Sequence, residues 1–227
     1  MPRTISLPLE DRRDLSENGT DSRVLESAVA LFAERGFSEV TVREIADAAG
    51  ANPAAINYYF GGKERLIRQV IRSVFAPLNA QRLTALAAAI NGDRPLTAEA
   101  VVRALVEPTV HACMHGTGPE RHYARILLHT FALRQPFVDD AMSEQIDSMP
   151  AAFVDALSRA LPGATRGRIF WHYDFMIGSL LHILMDGSRG YRLRRVSDGA
   201  ANTASATDIT EELVAFITTG LSAAQRP

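Results

Sequence analysis

The residues best suited to chemistry in this sequence form one short segment, "AINYYFGGKER", at positions 55–65. Asn57 carries the amide that can pair with adenine N6 and N7, and Tyr58 and Tyr59 offer hydroxyls for phosphate oxygens and ring faces for thymine methyls. Lys63, the only lysine of the chain, follows two glycines and opens a predicted helix, where its charge opposes the helix dipole. That charge becomes favourable beside an anion, so the segment indicates nucleic-acid binding.

Two short predicted helices position these side chains. Thr41 and Glu44 have the spacing of a capping box at the start of the first helix, and Gly50 ends it. Asn52 caps the second helix, with Pro53 at its first position, where a missing N–H costs nothing. Two helices joined by such a tight turn form a helix-turn-helix pattern, whose second helix meets base edges in the major groove.

Small and apolar side chains are predicted to hold this pair of helices together. Ala46 allows a close crossing, and Ile56, ten residues later, packs the second helix back on the first. Tyr59 lies three residues after Ile56 and fits the core or the exposed face equally well. The exposed face of the second helix then holds Pro53, Ala54, Asn57 and Tyr58.

The overall charge of the chain is not that of a typical nucleic-acid-binding protein. The formal net charge of the 227 residues is −2, and residues 1–72 carry ten Lys and Arg against eleven Asp and Glu. Hydrophobic content of 47% and charged content of 22% are typical of a soluble globular protein. Apolar runs are too short for a membrane span, the N-terminus is too polar for a signal peptide, and Cys113 stands alone. We therefore expect a cytoplasmic protein with no membrane association.

The whole chain is predicted to be all-α, because apolar residues recur at helical spacing and no stretch shows strand alternation. A long helix is expected from Lys63 towards Asn79, and Pro108 is expected to kink or end a later one. The stretch "RLRRVSDGAANTASAT" is predicted to be a polar loop. Asp208 and Glu211 have capping-box spacing before the last helix.

The segment "LFAERGFSEVTVREIADAAGANPAAINYYFGGKERLI" resembles the N-terminal domain of the TetR family of bacterial transcriptional regulators, over about residues 22–70. The resemblance implies a three-helix, helix-turn-helix DNA-binding domain at residues 21–72 and a helical ligand-binding and dimerisation domain at residues 73–227. Residues 1–20, polar and without period, are predicted to be a flexible arm whose Arg12 and Arg13 reach a minor groove.

The resemblance also implies roles for single residues. Thr41 would contact a phosphate at the start of the second helix of the three-helix domain, which is the first helix of the helix-turn-helix pair, and Lys63 matches the family's phosphate-contacting lysine. Asn57 departs from the family pattern, in which many members have tyrosine, so we expect it to read a base instead. The recognition helix would comprise Asn52, Pro53, Ala54, Ala55, Asn57, Tyr58 and Tyr59.

Two polar stripes interrupt the apolar C-terminal helices. His122, Arg125 and His129 form either a solvated face or an anion site, in which Arg125 receives a carboxylate or phosphate. The second stripe either lines a ligand pocket or forms a polar seam of the dimer interface or core. It comprises His172, Ser179, His182 and Asp186, with Phe175 between them.

The C-terminal part, "IFWHYDFMIG" followed by "TDITEELVAFITTGL", resembles the fatty-acid-responsive TetR regulators of lipid degradation. That resemblance implies a long-chain fatty acid or acyl-CoA effector. The helix at 166–190 and the last helix, at 208–222, would form a four-helix interface with a two-fold mate. Apolar residues suited to an acyl tail, and equally to a core, are Met114, Phe131, Trp171, Phe175 and Met176.

The sequence therefore favours a homodimeric transcriptional repressor that a small apolar ligand releases from double-stranded operator DNA. Enzymatic activity is not expected, because there is no G-x-S-x-G motif and no phosphate-binding glycine loop. No cofactor or metal is expected either, since His111 and His115 lack a clear third ligand. The competing class is a helical ligand-binding or adaptor protein without operator binding, which the acidic balance of residues 1–72 favours.

Overall fold

The computed structural model describes residues 19–132, 136–146 and 148–223, and every regular element within these ranges is a helix. The N-terminal helices are α1 (Thr20–Arg35), α2 (Val42–Ala49), α3 (Pro53–Phe60) and the long α4 (Lys63–Asn91). They are followed by α5 (Ala98–His115), a 3-10 turn (Pro119–His122), α6 (Tyr123–Ala132), α7 (Pro136–Ile146) and α8 (Ser148–Ala160). The last elements are α9 (Arg166–Leu184), a second 3-10 turn (Gly187–Arg189), the short α10 (Arg192–Val196) and α11 (Ala206–Ala223).

The predicted all-α class is thus confirmed. Residues 1–18 of the predicted arm, with Arg12 and Arg13, lie outside the described residues. None of the helices in the described ranges combines the length and the apolar character that crossing a membrane requires.

Local sequence signals set the boundaries of α2 and α3 as predicted. Thr41 and Glu44 form the complete capping box that starts α2. Gly50 ends α2 in the left-handed conformation, with φ of 61°, which a residue with a side chain adopts only under strain. The Oδ1 of Asn52 accepts a hydrogen bond from the Ala54 N–H at 2.9 Å, and Pro53 opens α3.

The long helix was predicted to run towards Asn79, but α4 continues to Asn91 and contains Pro77. Pro77 lies on the exposed side, where water can reach the carbonyl group that a proline leaves without a donor. Val74 and Leu78 flank it and are fully buried, so core packing stabilises the uninterrupted helix.

Pro108, expected to kink or end its helix, lies inside α5 and does not end it. Two other expectations about helices were wrong. Helix α10 occupies part of the stretch predicted to be a loop. The last helix begins at Ala206, because the Ser205 hydroxyl accepts the Asp208 N–H at 3.2 Å. Ser205 therefore acts as the cap, and Asp208 lies in the first turn, where a negative charge is favourable.

Two clusters of buried apolar side chains form the core, and α4 contributes to both. The first cluster joins α1, α2 and α3 to the N-terminal half of α4, and it continues into α6 and α7. The second lies among α5, α8, α9 and α11, with Leu86 of α4. The predicted domain boundary at residues 72–73 falls inside α4, so one helix connects the two parts of the molecule.

Candidate nucleic-acid interface

Helix α3, the predicted recognition helix, buries Ile56 alone and presents the rest of its surface outward or at the rim. Asn57 and Tyr58 are exposed, with Tyr58 exposed by 77%. Tyr59 is half-buried, and its ring meets the Tyr58 ring edge-on, with 4.9 Å between the centroids. The surface of α3 predicted to contact DNA, which we call the reading face, is therefore continuous. Its other exposed members are Asn52, Pro53 and Ala54, with Ala55 half-buried beside them.

The turn between α2 and α3 is fixed by backbone hydrogen bonds. The Gly50 N–H donates to the Asp47 carbonyl at 3.2 Å, and the Ala51 N–H donates to the Ala46 carbonyl at 2.9 Å. From α1, the Arg23 Nε donates to the Ala49 carbonyl at 3.2 Å, which ties the end of α2 to the first helix. The angle at which α3 leaves the domain is consequently set before any DNA binds.

Thr41 and Glu44 are joined by reciprocal hydrogen bonds at the start of α2. The Thr41 N–H and hydroxyl donate to Glu44 Oε2 at 2.8 and 2.7 Å, and the Glu44 N–H donates to Thr41 Oγ1 at 3.2 Å. Arg35 Nη1 lies 2.7 Å from the other carboxylate oxygen. These bonds, first those from Thr41 and then that from Arg35, lower the pKa of Glu44 to about 2. The predicted phosphate contact at Thr41 would therefore require displacement of Glu44 from the hydroxyl, or would be made by the free N–H groups that begin α2.

Glu44→Gln should weaken the fold above about pH 4.5 and lose this effect as the pH falls towards 2. The folded-state pKa lies below the ordinary value of 4.5, so the ionised carboxylate stabilises the protein above pH 4.5, and protonation removes that contribution towards pH 2. Thermal unfolding followed by circular dichroism should give melting temperatures for wild type and Glu44→Gln that converge as the pH is lowered. Asp93→Asn, in the exposed loop after α4, is the control. A difference in melting temperature that does not vary with pH would contradict the assignment.

Lys63 is the first residue of α4 and lies close to the start of α2. Partial burial lowers the pKa of its ammonium group, while the nearby carboxylates of Glu44 and Glu39 act in the opposite direction. Since Glu44 also holds Thr41, the structure brings both predicted phosphate-contacting residues close to the same carboxylate. A phosphate there would compensate the unfavourable position of a cation at a helix start.

Arg43 was not among the predicted contacts, although its position favours one. Its side chain is 85% exposed, and its ion pair with Asp47 is long, at 3.9 Å. Ile45, Ala46 and Ala49 are the buried side of α2. Helical periodicity applied to these three residues would have placed position 43 on the exposed side, beside the Thr41 cap.

The structure does not bring all the predicted effector-binding residues into one site, although Phe175, Met176 and Ser179 line a shared cavity of about 590 Å³ between α9 and α11. Ser179 and His182 line a cavity of about 550 Å³ between α9, α10 and α11. Met114 and Arg125 line a different cavity, of about 470 Å³, between α5, α6 and the segment after α9. Met176 is buried in the second core cluster.

The remaining apolar candidates lie on the surface. Phe131 of α6 is exposed. Trp171 and Phe175 are exposed on the outer face of α9, with 5.8 Å between their ring centroids. In the described ranges, no group of three or more His, Cys, Asp or Glu side chains is arranged to hold a metal ion.

His129 was predicted to contact an effector, but it lies against the first helix. Its Nε2 is 3.3 Å from the Ala33 carbonyl oxygen, and its ring meets Phe37 edge-on at 6.4 Å. A side chain at Gly36 would meet the His129 Nδ1 at 3.0 Å, so glycine is required there for close approach as well as for its φ of 83°. His129 therefore joins α6 to the DNA-binding part of the molecule.

Comparisons with known proteins agree with this architecture. Residues 24–70 match the model of bacterial regulatory proteins of the tetR family, and residues 103–220 match a tetracyclin repressor-like C-terminal domain. The transcriptional regulator BetI of Brucella canis is 32% identical over 152 residues, covering 59% of this chain and 75% of BetI. The probable regulator YttP of Bacillus subtilis is 45% identical over 56 residues, which span 25% of this chain and only 27% of YttP.

A solved structure has the same fold along nearly the whole chain. A TetR-like transcriptional regulator from Rhodococcus sp. RHA1 superimposes with a TM-score of 0.61 and 20% identity. The alignment covers 89% of this chain and 96% of that protein. At this identity the likeness concerns the fold alone, so the chemistry of any bound ligand must be argued from the residues themselves.

Proposed function

The chain belongs to the TetR family of bacterial transcriptional regulators, and we propose that it is a homodimeric repressor that a small apolar effector releases from double-stranded operator DNA. The family consists of DNA-binding regulators rather than enzymes. A regulator of this kind acts in the cytoplasm, which is the proposed location.

The observation that carries the proposal is the reading face of α3, which is complete in the free protein. Asn57 and Tyr58 are exposed on a helix whose capping and turn are already fixed. The acidic balance of residues 1–72, which favoured an adaptor protein, is unchanged by the structure, but the Glu44 carboxylate at the start of α2 is offset locally by its ion pair with Arg35. We propose accordingly that the protein binds its operator without the effector, that the effector releases it, and that the bound state represses transcription.

An exposed apolar surface on α9 and α11 supports the proposed homodimer. We call this surface the aromatic face. A cluster of large exposed apolar side chains is unusual on a monomer and typical of an interface. A second copy related by two-fold symmetry would cover it and place two recognition helices roughly 34–36 Å apart, one turn of DNA. The aromatic face comprises Phe170, Trp171, Phe175 and Phe216.

Helix α6 is the proposed connection between effector and DNA. Arg125 lines the cavity of about 470 Å³, and His129, one turn later, contacts α1. Arg121 and His122 line this cavity and also a second one, of about 370 Å³, whose opposite wall includes Leu25 and Val29 of α1. An effector that binds better when α6 has moved would change the position of the DNA-binding domain.

The proposed effector class is a long-chain fatty acid or acyl-CoA. Its support is the resemblance of "IFWHYDFMIG" to fatty-acid-responsive regulators, together with the mainly apolar walls of the two cavities along α9 and α11. The predicted contacts that line C-terminal cavities remain the proposed effector-binding residues, and they are Met114, Arg125, Phe175, Met176, Ser179 and His182.

Operator binding is tested with DNA from the region upstream of the protein's own gene. We expect a saturable rise in fluorescence anisotropy that weakens steeply with salt. An adaptor protein would give no binding at any salt concentration down to about 50 mM, and that outcome would remove the repressor proposal.

Lys63→Ala should weaken binding to all DNA sequences alike and lower the slope of log K against log salt by about one. The reason is the loss of one phosphate contact at the start of α4. Asn57→Ala provides the contrast, because losing a base contact should relax the preference at one base pair and leave the salt slope unchanged. Both are measured by anisotropy titrations across a salt series with single-base operator variants. If Lys63→Ala impaired only some operators, the phosphate role would be wrong.

A further inference from the structure

The cavity between α5, α6 and the segment after α9 has a basic wall, and we call it the basic cavity. Arg121, His122 and Arg125 line one side and His115 another. No aspartate or glutamate is among the described residues that line it. Its apolar wall includes Ile183 and Leu184 of α9. With a volume of about 470 Å³, the cavity offers apolar surface and positive charge in one site.

The two arginines of this wall differ in how their guanidinium groups are used. Arg121 donates to the Thr117 carbonyl at 2.6 Å and to His122 Nε2 at 3.1 Å. The guanidinium of Arg125 makes no ion pair and no hydrogen bond within the described residues. Burial, with Arg121 and Arg125 nearby, lowers the pKa of His122, so the positive charge of this side resides on the arginines. Arg125 is thus available for bidentate contact with a carboxylate or phosphate.

A third guanidinium lies behind the cavity wall. Arg82 of α4 is 3% exposed, and its Nε donates to Thr109 Oγ1 at 2.9 Å. Its guanidinium stacks 4.5 Å over the Tyr123 ring, but its buried Nη2 has no hydrogen-bond partner in the described part of the chain. Arg82 lies close enough to Cys113, a residue of the wall, to oppose the effect of burial, which raises the pKa of that thiol to about 11.

No carboxylate forms an ion pair with Arg82 among the described residues. A buried charge without an opposite charge is costly, so an anion in the adjacent cavity would stabilise this part of the core. Two carboxylates of the described chain lie near the wall without lining it. That of Asp186 already accepts hydrogen bonds from the Leu193 N–H and the Thr203 hydroxyl, and that of Glu120 is close enough to Cys113 to act on the pKa of its thiol, but neither forms an ion pair with Arg82. The core is therefore arranged around a positive charge that the described chain itself does not neutralise.

We infer that the basic cavity binds an amphipathic anion, whose carboxylate or phosphate contacts Arg125 and whose apolar part lies against Ile183 and Leu184. This deepens the proposed function, on which it rests for the consequence of binding, by assigning the charged group of the effector to one cavity and to Arg125. It also separates the two candidate cavities, since the one lined by Ser179 and His182 includes Asp208 and Glu212 in its wall and does not favour an anion.

The test is isothermal titration calorimetry of the full chain with three probes of equal chain length, dodecanoate, dodecyl phosphate and dodecanol. Wild type should bind at least one of the two anions about tenfold more tightly than the alcohol. Arg125→Gln should reduce anion affinity by about tenfold and change dodecanol affinity less than about twofold, while Arg125→Lys keeps part of the preference. The control is Arg159→Gln, which removes an exposed arginine of α8 outside the cavity and should change nothing.

Each result decides one question. Tighter binding of dodecyl phosphate than of dodecanoate would identify a phosphate group as the natural anion, and the reverse would identify a carboxylate. Equal binding of alcohol and anions, or an unaltered preference in Arg125→Gln, would overturn the inference. Operator binding is measured separately by anisotropy. Anion binding without operator binding would reject the proposed function and keep the anion site. Operator binding without a preference for anions would keep the proposed function and reject the anion site.

Discussion

Phe216→Asp should convert the protein into a monomer and lower its affinity for operator DNA by at least about a hundredfold. Phe216 is 68% exposed on α11, at the aromatic face proposed to bind a second copy. An aspartate there would place a desolvated charge without a partner in an apolar interface, which costs several kcal/mol. A monomer retains one recognition helix, so it loses the gain that comes from binding two half-sites at once.

Light scattering after gel filtration measures the mass, and anisotropy measures operator binding. Circular dichroism should show unchanged helicity, because Phe216 is mostly exposed and its replacement leaves the core intact. Leu83→Asp is the matched control, since it places the same charge at an exposed apolar position on α4. A Phe216→Asp variant that remained dimeric and bound the operator like wild type would show that the second copy binds elsewhere.

The DNA-binding end of the molecule was predictable because its determinants are close together in sequence. The capping box of Thr41 and Glu44 spans four residues, and Asn52 with Pro53 spans two. Each of these signals satisfies backbone groups that every helix start leaves free, so it acts largely without regard to the rest of the chain. The helix ends and the exposed face of α3 therefore followed from local chemistry.

The effector-binding residues were less predictable because α9 is apolar on most sides. Phe175 and Met176 are neighbours in sequence, yet one is exposed on the aromatic face and the other is buried. Periodicity cannot choose between these sides when both are apolar; the choice depends on which helices pack against α9. His129 illustrates the same limit, since its contact with Ala33 joins residues 96 positions apart.

Arg82 was missed although the sequence contained a signal. It lies four residues after Leu78 and four before Leu86, both buried, so it interrupts an apolar stripe of α4. A charged residue on such a stripe must be neutralised, hydrogen-bonded or functional. Applying that rule would have indicated an internal positive charge, and with it an anion, before the fold was known.

His129→Ala should have the second of the two largest effects. It should leave the affinities for the operator and for the anionic probe, dodecanoate, nearly unchanged, but reduce the release of DNA by this probe. His129 contacts Ala33, Gly36 and Phe37, and Arg125 lies one turn before it on α6. A probe bound at Arg125 can act on α1 through this contact. Coupling between two such sites is typically about 1–3 kcal/mol, so we expect the probe's effect on operator affinity to fall at least about fivefold.

The measurement is operator anisotropy titrated with dodecanoate, together with calorimetry in the presence and absence of operator. Because coupling is reciprocal, the operator should also weaken dodecanoate binding less in the variant than in wild type. His111→Ala is the control, since it removes an exposed histidine of α5 that stacks on His115 and leaves the contact with α1 unaltered. Full release by dodecanoate in His129→Ala would show that α6 does not connect the two sites through this residue. A variant that bound no operator even without dodecanoate would instead make His129 a structural support of the reading face.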